Sequence, residues 1–195
     1  MSTSETSITV VSGVPGVGSS QICSGARREL GDGYALVNVG DVMLEAAAIE
    51  GLATSREELA ALSVRDHTLI QRRAGEEIRR RGRDRSLIVD SRFMVRTPQG
   101  FLPGFSTTTL SDVRPDLLVS VEADPETTVE RRDESAYREY PEEPATMVEF
   151  HQQLNRAAAV NYATQTDATI MPISNEGAVE NAVESLVRVI ETLDG

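Results

Sequence analysis

One octapeptide near the start of the chain, Gly13-Val14-Pro15-Gly16-Val17-Gly18-Ser19-Ser20, constrains the fold more than any other feature. It follows a short β-branched apolar run at residues 8–11 and opens a helix expected over residues 21–30, closed by Gly31. A strand that turns through glycines directly into a helix lets backbone N–H groups converge on an anion. The helix N-terminus adds the positive end of its dipole. The spacing fits G-x-x-x-x-G-K-[ST] at Gly13, Gly18 and Ser20, with Ser19 at the lysine position. In that pattern the last residue lends its hydroxyl to Mg²⁺, which makes Ser20 a metal candidate. The chain contains no lysine, so any cation taking over that role is an arginine, Mg²⁺ or a bound monovalent ion.

Strands and helices alternate beyond this turn. Residues 35–39, 87–89, 117–121 and 169–173 read as further strands. Asp41 is expected to cap a helix running to about residue 50, with Gly51 as its stop. Ser55 and Glu58 form a capping box that opens one long helix to residue 81. Residues 96–104, with Pro98, Gly100, Pro103 and Gly104, read as a loop. A short helix is expected after Asp124-Pro125, to about residue 133, then a charged, flexible cap over residues 133–144. Helices over 146–162 and 176–193 complete the pattern. Such alternation implies an α/β fold with a largely parallel sheet, whose ligands bind beyond the carboxyl ends of the strands. That directs attention to residues 13–20, 40–41, 90–96 and 122–124.

Charge narrows the partners. Thirty-one acidic residues against nineteen basic ones, all arginine, give a net charge of -12. Such a surface repels phosphate backbones and anionic lipid, which argues against nucleic-acid or membrane binding. Acid excess without lysine points to a salt-adapted lineage. A single cysteine, Cys23, excludes an intrachain disulfide and fits a reducing cytoplasm. No apolar run approaches the roughly 20 residues that span a bilayer, and residues 1–7 lack the basic start of a signal peptide. Cys23 is expected to pack on the first helix. His67 and His151 lack metal-ligand spacing and are expected on the surface or in helix packing. Arg79, Arg80, Arg81, Arg83 and Arg85 read as a helix C-terminus that favours cations, without a phosphate role.

Four stretches, in this order, resemble the archaeal type of adenylate kinase within the P-loop nucleoside-monophosphate kinases. They are VSGVPGVGSS (11–20), NVGDVML (38–44), IVDSRFMVRTPQGFLP (88–103) and NRAAAVNYA (155–163); SREELAALSV (55–64) and EADPETTVERR (122–132) extend the likeness. The resemblance implies one P-loop kinase domain over residues 1–195, with a five-stranded parallel sheet flanked by helices. It places an AMP-binding region at 41–81 and a short lid at 131–144. It implies reversible phosphoryl transfer from MgATP to AMP, giving two ADP, in a homo-oligomer that is commonly a trimer. By position, Gly13 to Ser20 would hold the ATP phosphates and Asp90 would support Mg²⁺ from the second shell. Asp41 and Arg56 would serve the AMP side, and Arg96 would face the phosphates between donor and acceptor. Arg131, Arg132 and Arg138 match lid arginines, while Arg156 returns from the following helix. Arg92 stands where relatives usually have histidine, and adds a cation that can partly substitute for the absent lysine. Two other readings stay open: another small nucleoside-monophosphate kinase, or an adenine-nucleotide sensor or assembly protein that binds without turnover.

Overall fold

The structure is a computed structural model that describes residues 6–97, 100–135 and 142–194. The elements run β1 (Ile8–Gly13), α1 (Ser19–Leu30), β2 (Tyr34–Asn38), α2 (Val39–Ile49), α3 (Arg56–Ala60), α4 (Val64–Arg81), β3 (Ser86–Ser91), β4 (Met94–Thr97), β5 (Gly100–Pro103), α5 (Thr107–Val113), β6 (Leu117–Glu122), α6 (Pro125–Asp133), α7 (Ala145–Thr166), β7 (Thr169–Ser174) and α8 (Val179–Asp194). Five strands form one parallel sheet in the order β2-β3-β1-β6-β7. The expected five-stranded parallel sheet flanked by helices is therefore present.

Parallel strands buried on both faces read as continuous apolar runs, and the two-residue period divides them between two cores. Val10, Leu87, Val89 and Leu118 face one layer, where α2, α4, α5 and α7 contribute Val42, Ile70, Ile78, Leu110 and Ala159. Val11, Ile88, Leu117, Val119 and Val121 face the other, against Ile22 and Cys23 of α1 and Leu186 and Ile190 of α8. The cores are almost wholly aliphatic. The aromatic exceptions, Phe93, Phe105 and Tyr162, gather in the first layer, with Tyr162 edge-on to Phe93 at 5.7 Å and to Phe105 at 5.8 Å.

Several local expectations change. Most of the stretch read as a loop is not irregular: β4 and β5 pair antiparallel, Met94 opposite Pro103 and Thr97 opposite Gly100, while Pro98 and Gln99 lie outside the described residues. Gly100 and Pro103 are the two ends of β5 and do not break its pairing. Asp41 is not the cap of α2. Asn38 is, its side-chain oxygen accepting from the Asp41 N–H at 3.2 Å, so Asp41 lies in the first turn. The helix expected from Ser55 to Arg81 is two helices. Ser55 caps α3 by accepting from the Glu58 N–H, and Ser63 starts α4 by accepting from the Asp66 N–H. The stretch Ser63-Val64-Arg65-Asp66 repeats the serine-x-x-acid signature of the first cap, which supplies a second start. Helix α4 ends among Arg79, Arg80 and Arg81 as expected; Arg80 and Arg81 both bind Glu77, which holds its carboxyl down at about 2. Among the described residues no helix is long and apolar enough to cross a membrane.

Candidate active site

The loops leaving β1, β2, β3, β6 and β7 meet along the carboxyl edge of the sheet. At its centre the chain leaves β1 at Gly13, and α1 begins at Ser19. Gly16 and Gly18 have φ of +87° and +92°, in the left-handed region that disfavours side chains. Each is also crowded: a Cβ on Gly16 would lie 2.6 Å from Cγ of Arg132, and one on Gly18 would lie 2.7 Å from Nδ2 of Asn175. Ser19 is buried in the first turn of α1, and Ser20 is exposed beside it.

Ser20 reaches the end of β3. Its hydroxyl donates to Oδ2 of Asp90 at 2.8 Å, and the same oxygen accepts from Nδ2 of Asn38 at 3.0 Å. Asn38 thus caps α2 with one end of its amide and binds Asp90 with the other. A hydroxyl next to a carboxylate is a hard oxygen donor pair. That suits an ion such as Mg²⁺, which keeps waters and substrate phosphates as its remaining ligands. Cys23 lies fully buried on α1, its thiol pushed well up by burial and then by the Asp90 charge. It packs, as expected.

Arg92 leaves β3 and directs Nη1 to the Gly13 carbonyl at 3.3 Å. Arg132, in the last turn of α6, donates from Nε to the Pro15 carbonyl at 2.7 Å and from Nη1 to Glu143 at 2.9 Å. The Glu143 side chain is only 7% exposed and also pairs with Arg96 of β4. One carboxylate therefore joins the two arginines expected near the transferred phosphate. Arg131 sits on α6 with a buried Nη1 that has no hydrogen-bond partner among the described residues. Arg156 of α7 grips Glu122, at the end of β6, through two bonds of 2.8 and 2.6 Å. Asp41 and Arg56 pair with each other, and the Arg56 guanidinium lies where a side chain at Gly40 would stand. Arg138 falls outside the described residues.

The hairpin carrying Arg96 is fastened at its base and along its flank. The Gly104 N–H donates to the Phe93 carbonyl at 2.8 Å, and a Cβ on Gly104 would run into the Arg92 carbonyl. The Tyr162 hydroxyl donates to the Phe93 carbonyl at 3.1 Å and accepts from the Phe105 N–H at 3.2 Å. Asn155 accepts from the Met94 N–H at 3.1 Å. His151 donates from Nε2 to the Met94 carbonyl at 3.0 Å, the tautomer fixed by an acceptor-only partner.

His151 is buried, and burial lowers its affinity for a proton; the charges of Arg92, Arg132 and Arg96 act in the same direction. Because the folded pKa is depressed, the unfolded chain protonates first as pH falls through about 6.5, its ordinary value. Stability is then full above that pH and declines below it. A His151→Gln variant keeps a donor for Met94 but cannot titrate. Melting temperatures between pH 7.5 and 5 should fall less steeply for this variant; an identical slope would rule out the assignment. His67, half-buried on α4, is lowered by burial too, so the difference between the two slopes is the readout.

Sequence reasoning missed Asn38, Glu143, His151, Asn155 and Asn175 as parts of this edge. Asn38 and Asn175 stand at strand ends, which is the one signal that could have found them.

The arrangement is a P-loop kinase fold: a central β1, a phosphate loop opening α1, and a carboxylate at the end of the neighbouring β3. Solved structures share it. Shikimate kinase from Bacteroides thetaiotaomicron superposes with a TM-score of 0.59 at 13% identity, over 95% of this chain and 98% of that one. A sugar kinase from Janibacter sp. gives 0.57 at 19% identity, over 95% of each chain. A family model described as an AAA domain matches residues 12–147. The adenylate kinase of Methanothermobacter thermautotrophicus is 40% identical over 94% of this chain and 99% of its own length. Those of Methanopyrus kandleri and Thermococcus onnurineus are 39% and 34% identical, over 95% and 96% of this chain and 98% and 97% of theirs. The chain belongs to the adenylate kinase family.

Proposed function

We propose that the chain transfers the γ-phosphoryl group of MgATP to AMP, reversibly, forming two ADP. The observation that carries this reading is the Ser20–Asp90 bond beside the phosphate loop, in a chain that aligns with adenylate kinases over nearly its whole length. An oxygen of the AMP phosphate attacks the γ-phosphorus, and the bond to the β–γ bridging oxygen breaks. The nucleophile is already anionic, so no strong general base is required. Catalysis then rests on alignment of the two phosphates, exclusion of water and spreading of charge.

Backbone N–H groups of residues 13–20 hold the donor phosphates. Ser20, with Asp90 behind it, would hold Mg²⁺, which when bound would neutralise charge on the phosphate oxygens. Arg92 beside Gly13 supplies a fixed cation that the loop itself lacks at Ser19. Arg96 and Arg132 exchange the Glu143 carboxylate for phosphate oxygens, joined by Arg131, Arg138 and Arg156 as the lid over 131–144 closes. Asp41 and Arg56 serve AMP within 41–81. We further propose a cytoplasmic homo-oligomer, trimeric as is common in the family, from a salt-adapted lineage.

The test is coupled ATP + AMP phosphotransfer by the purified protein, from low salt to several molar KCl. Turnover should require both AMP and Mg²⁺ and should increase with salt, together with thermal stability. Nucleotide binding without turnover at any salt would replace this reading with that of an adenylate sensor, for which Ser19 is the supporting feature. Turnover with another nucleoside monophosphate but not AMP would move the acceptor specificity.

A further inference from the structure

Three side chains, one just after β3, one on α6 and one just after β7, donate to alternate carbonyls of the phosphate loop. Arg92 binds the Gly13 oxygen, Arg132 the Pro15 oxygen, and Nδ2 of Asn175 the Val17 oxygen at 2.8 Å. No peptide bond in the described chain is cis, and across a trans peptide the C=O of one residue opposes the N–H of the next. Holding the oxygens of residues 13, 15 and 17 therefore directs the N–H groups of Val14, Gly16 and Gly18 the opposite way. Those are the donors a phosphate would meet.

Two of these struts are arginines that also lie near the expected phosphates. Asn175 is different. It carries no charge, follows β7, is 4% exposed, and is fixed by its own N–H to the Glu122 carbonyl at 2.8 Å. Its Oδ1 is buried and has no hydrogen-bond partner among the described residues. A buried acceptor left unpaired destabilises the fold, so packing alone does not account for an amide here. The neighbouring Gly18 has φ +92°, and any Cβ there would displace the Asn175 amide.

We propose that Asn175 is a positioning residue for the donor nucleotide, holding the Val17–Gly18 peptide so that the Gly18 N–H faces the ATP phosphates. This rests on the reading of residues 13–20 as the ATP site. Nothing in the role involves AMP, so the effect is confined to one substrate.

The test uses Asn175→Leu and, should that variant fail to fold, Asn175→Ala. Leucine removes both the donor and the orphaned oxygen at similar size, so the two losses offset one another in stability. The KM for ATP should rise about tenfold, the change that corresponds to about 1.4 kcal/mol, near the net value of one hydrogen bond. The KM for AMP should change less than about twofold, and the melting temperature by only a few degrees. MgATP binding by calorimetry should weaken by the same factor as KM, and this readout needs no turnover. An unchanged affinity for MgATP would overturn the inference. So would a parallel rise in both KM values together with a large fall in melting temperature, which marks a purely structural residue. If the parent protein binds MgATP but does not turn over, the catalytic reading fails while the calorimetric comparison still decides this one.

Discussion

Replacing Arg132 with leucine is expected to lower kcat/KM by about 10³-fold, the range of an arginine that stabilises transferred phosphoryl charge. The side chain has three tasks in one place. It holds the Pro15 carbonyl, neutralises buried Glu143, and lies over Gly16 of the loop. Among the described residues, leucine would leave the Glu143 carboxylate with Arg96 as its remaining ion-pair partner. Removing one partner of a buried pair costs about 3 kcal/mol or more, and in a domain of this size that lowers the melting temperature by roughly 10 °C. Arg132→Lys separates the roles. It keeps the charge that Glu143 needs but cannot bind Pro15 and Glu143 together through one planar fork. The lysine variant should recover most of the stability and little of the rate. Full activity in Arg132→Lys would show that charge alone suffices and that the bond to the loop is incidental.

The second large effect is expected at Asp90. Asp90→Asn keeps size and the one acceptor oxygen that takes both the Ser20 hydroxyl and the Asn38 amide, but loses the charge. We expect kcat to fall by about 10² to 10³, as when one preorganised electrostatic contact is removed. The Mg²⁺ concentration at half-maximal rate should rise at the same time. Stability should change much less, because the charge disappears while one amide oxygen can still accept from both Ser20 and Asn38. Superimposable Mg²⁺ titrations for parent and variant would remove Asp90 from the metal's surroundings.

The sheet and the phosphate loop were legible because their signals are local. Period-two apolar runs, glycines at the turn from β1 into α1 and serine caps each act over a few residues. The boundaries that shifted were contests between neighbouring local signals. Asn38 outcompeted Asp41 as the cap because its amide could at the same moment satisfy Asp90, 52 positions away. The hairpin of β4 and β5 was hidden for a related reason. In sequence its prolines and glycines read as turn signals, while what holds it in place comes from α7, through His151, Asn155 and Tyr162. Candidate arginines were visible as residues but their partners were not. Glu143, which joins Arg96 to Arg132, stands among several acids in its stretch of sequence, and nothing there marks it as the one that is buried.

Cys23 gives the molecule a use beyond its chemistry. It is the chain's single thiol, 0% exposed, on the first helical turns behind the phosphate loop and within the electrostatic reach of Asp90. A maleimide or disulfide reagent can reach that sulfur only when α1 lifts from its bed, and local openings of this kind are measurable as rates. The labelling half-time is thus a stopwatch for the looseness of the nucleotide cradle, readable by mass spectrometry on the unmodified chain.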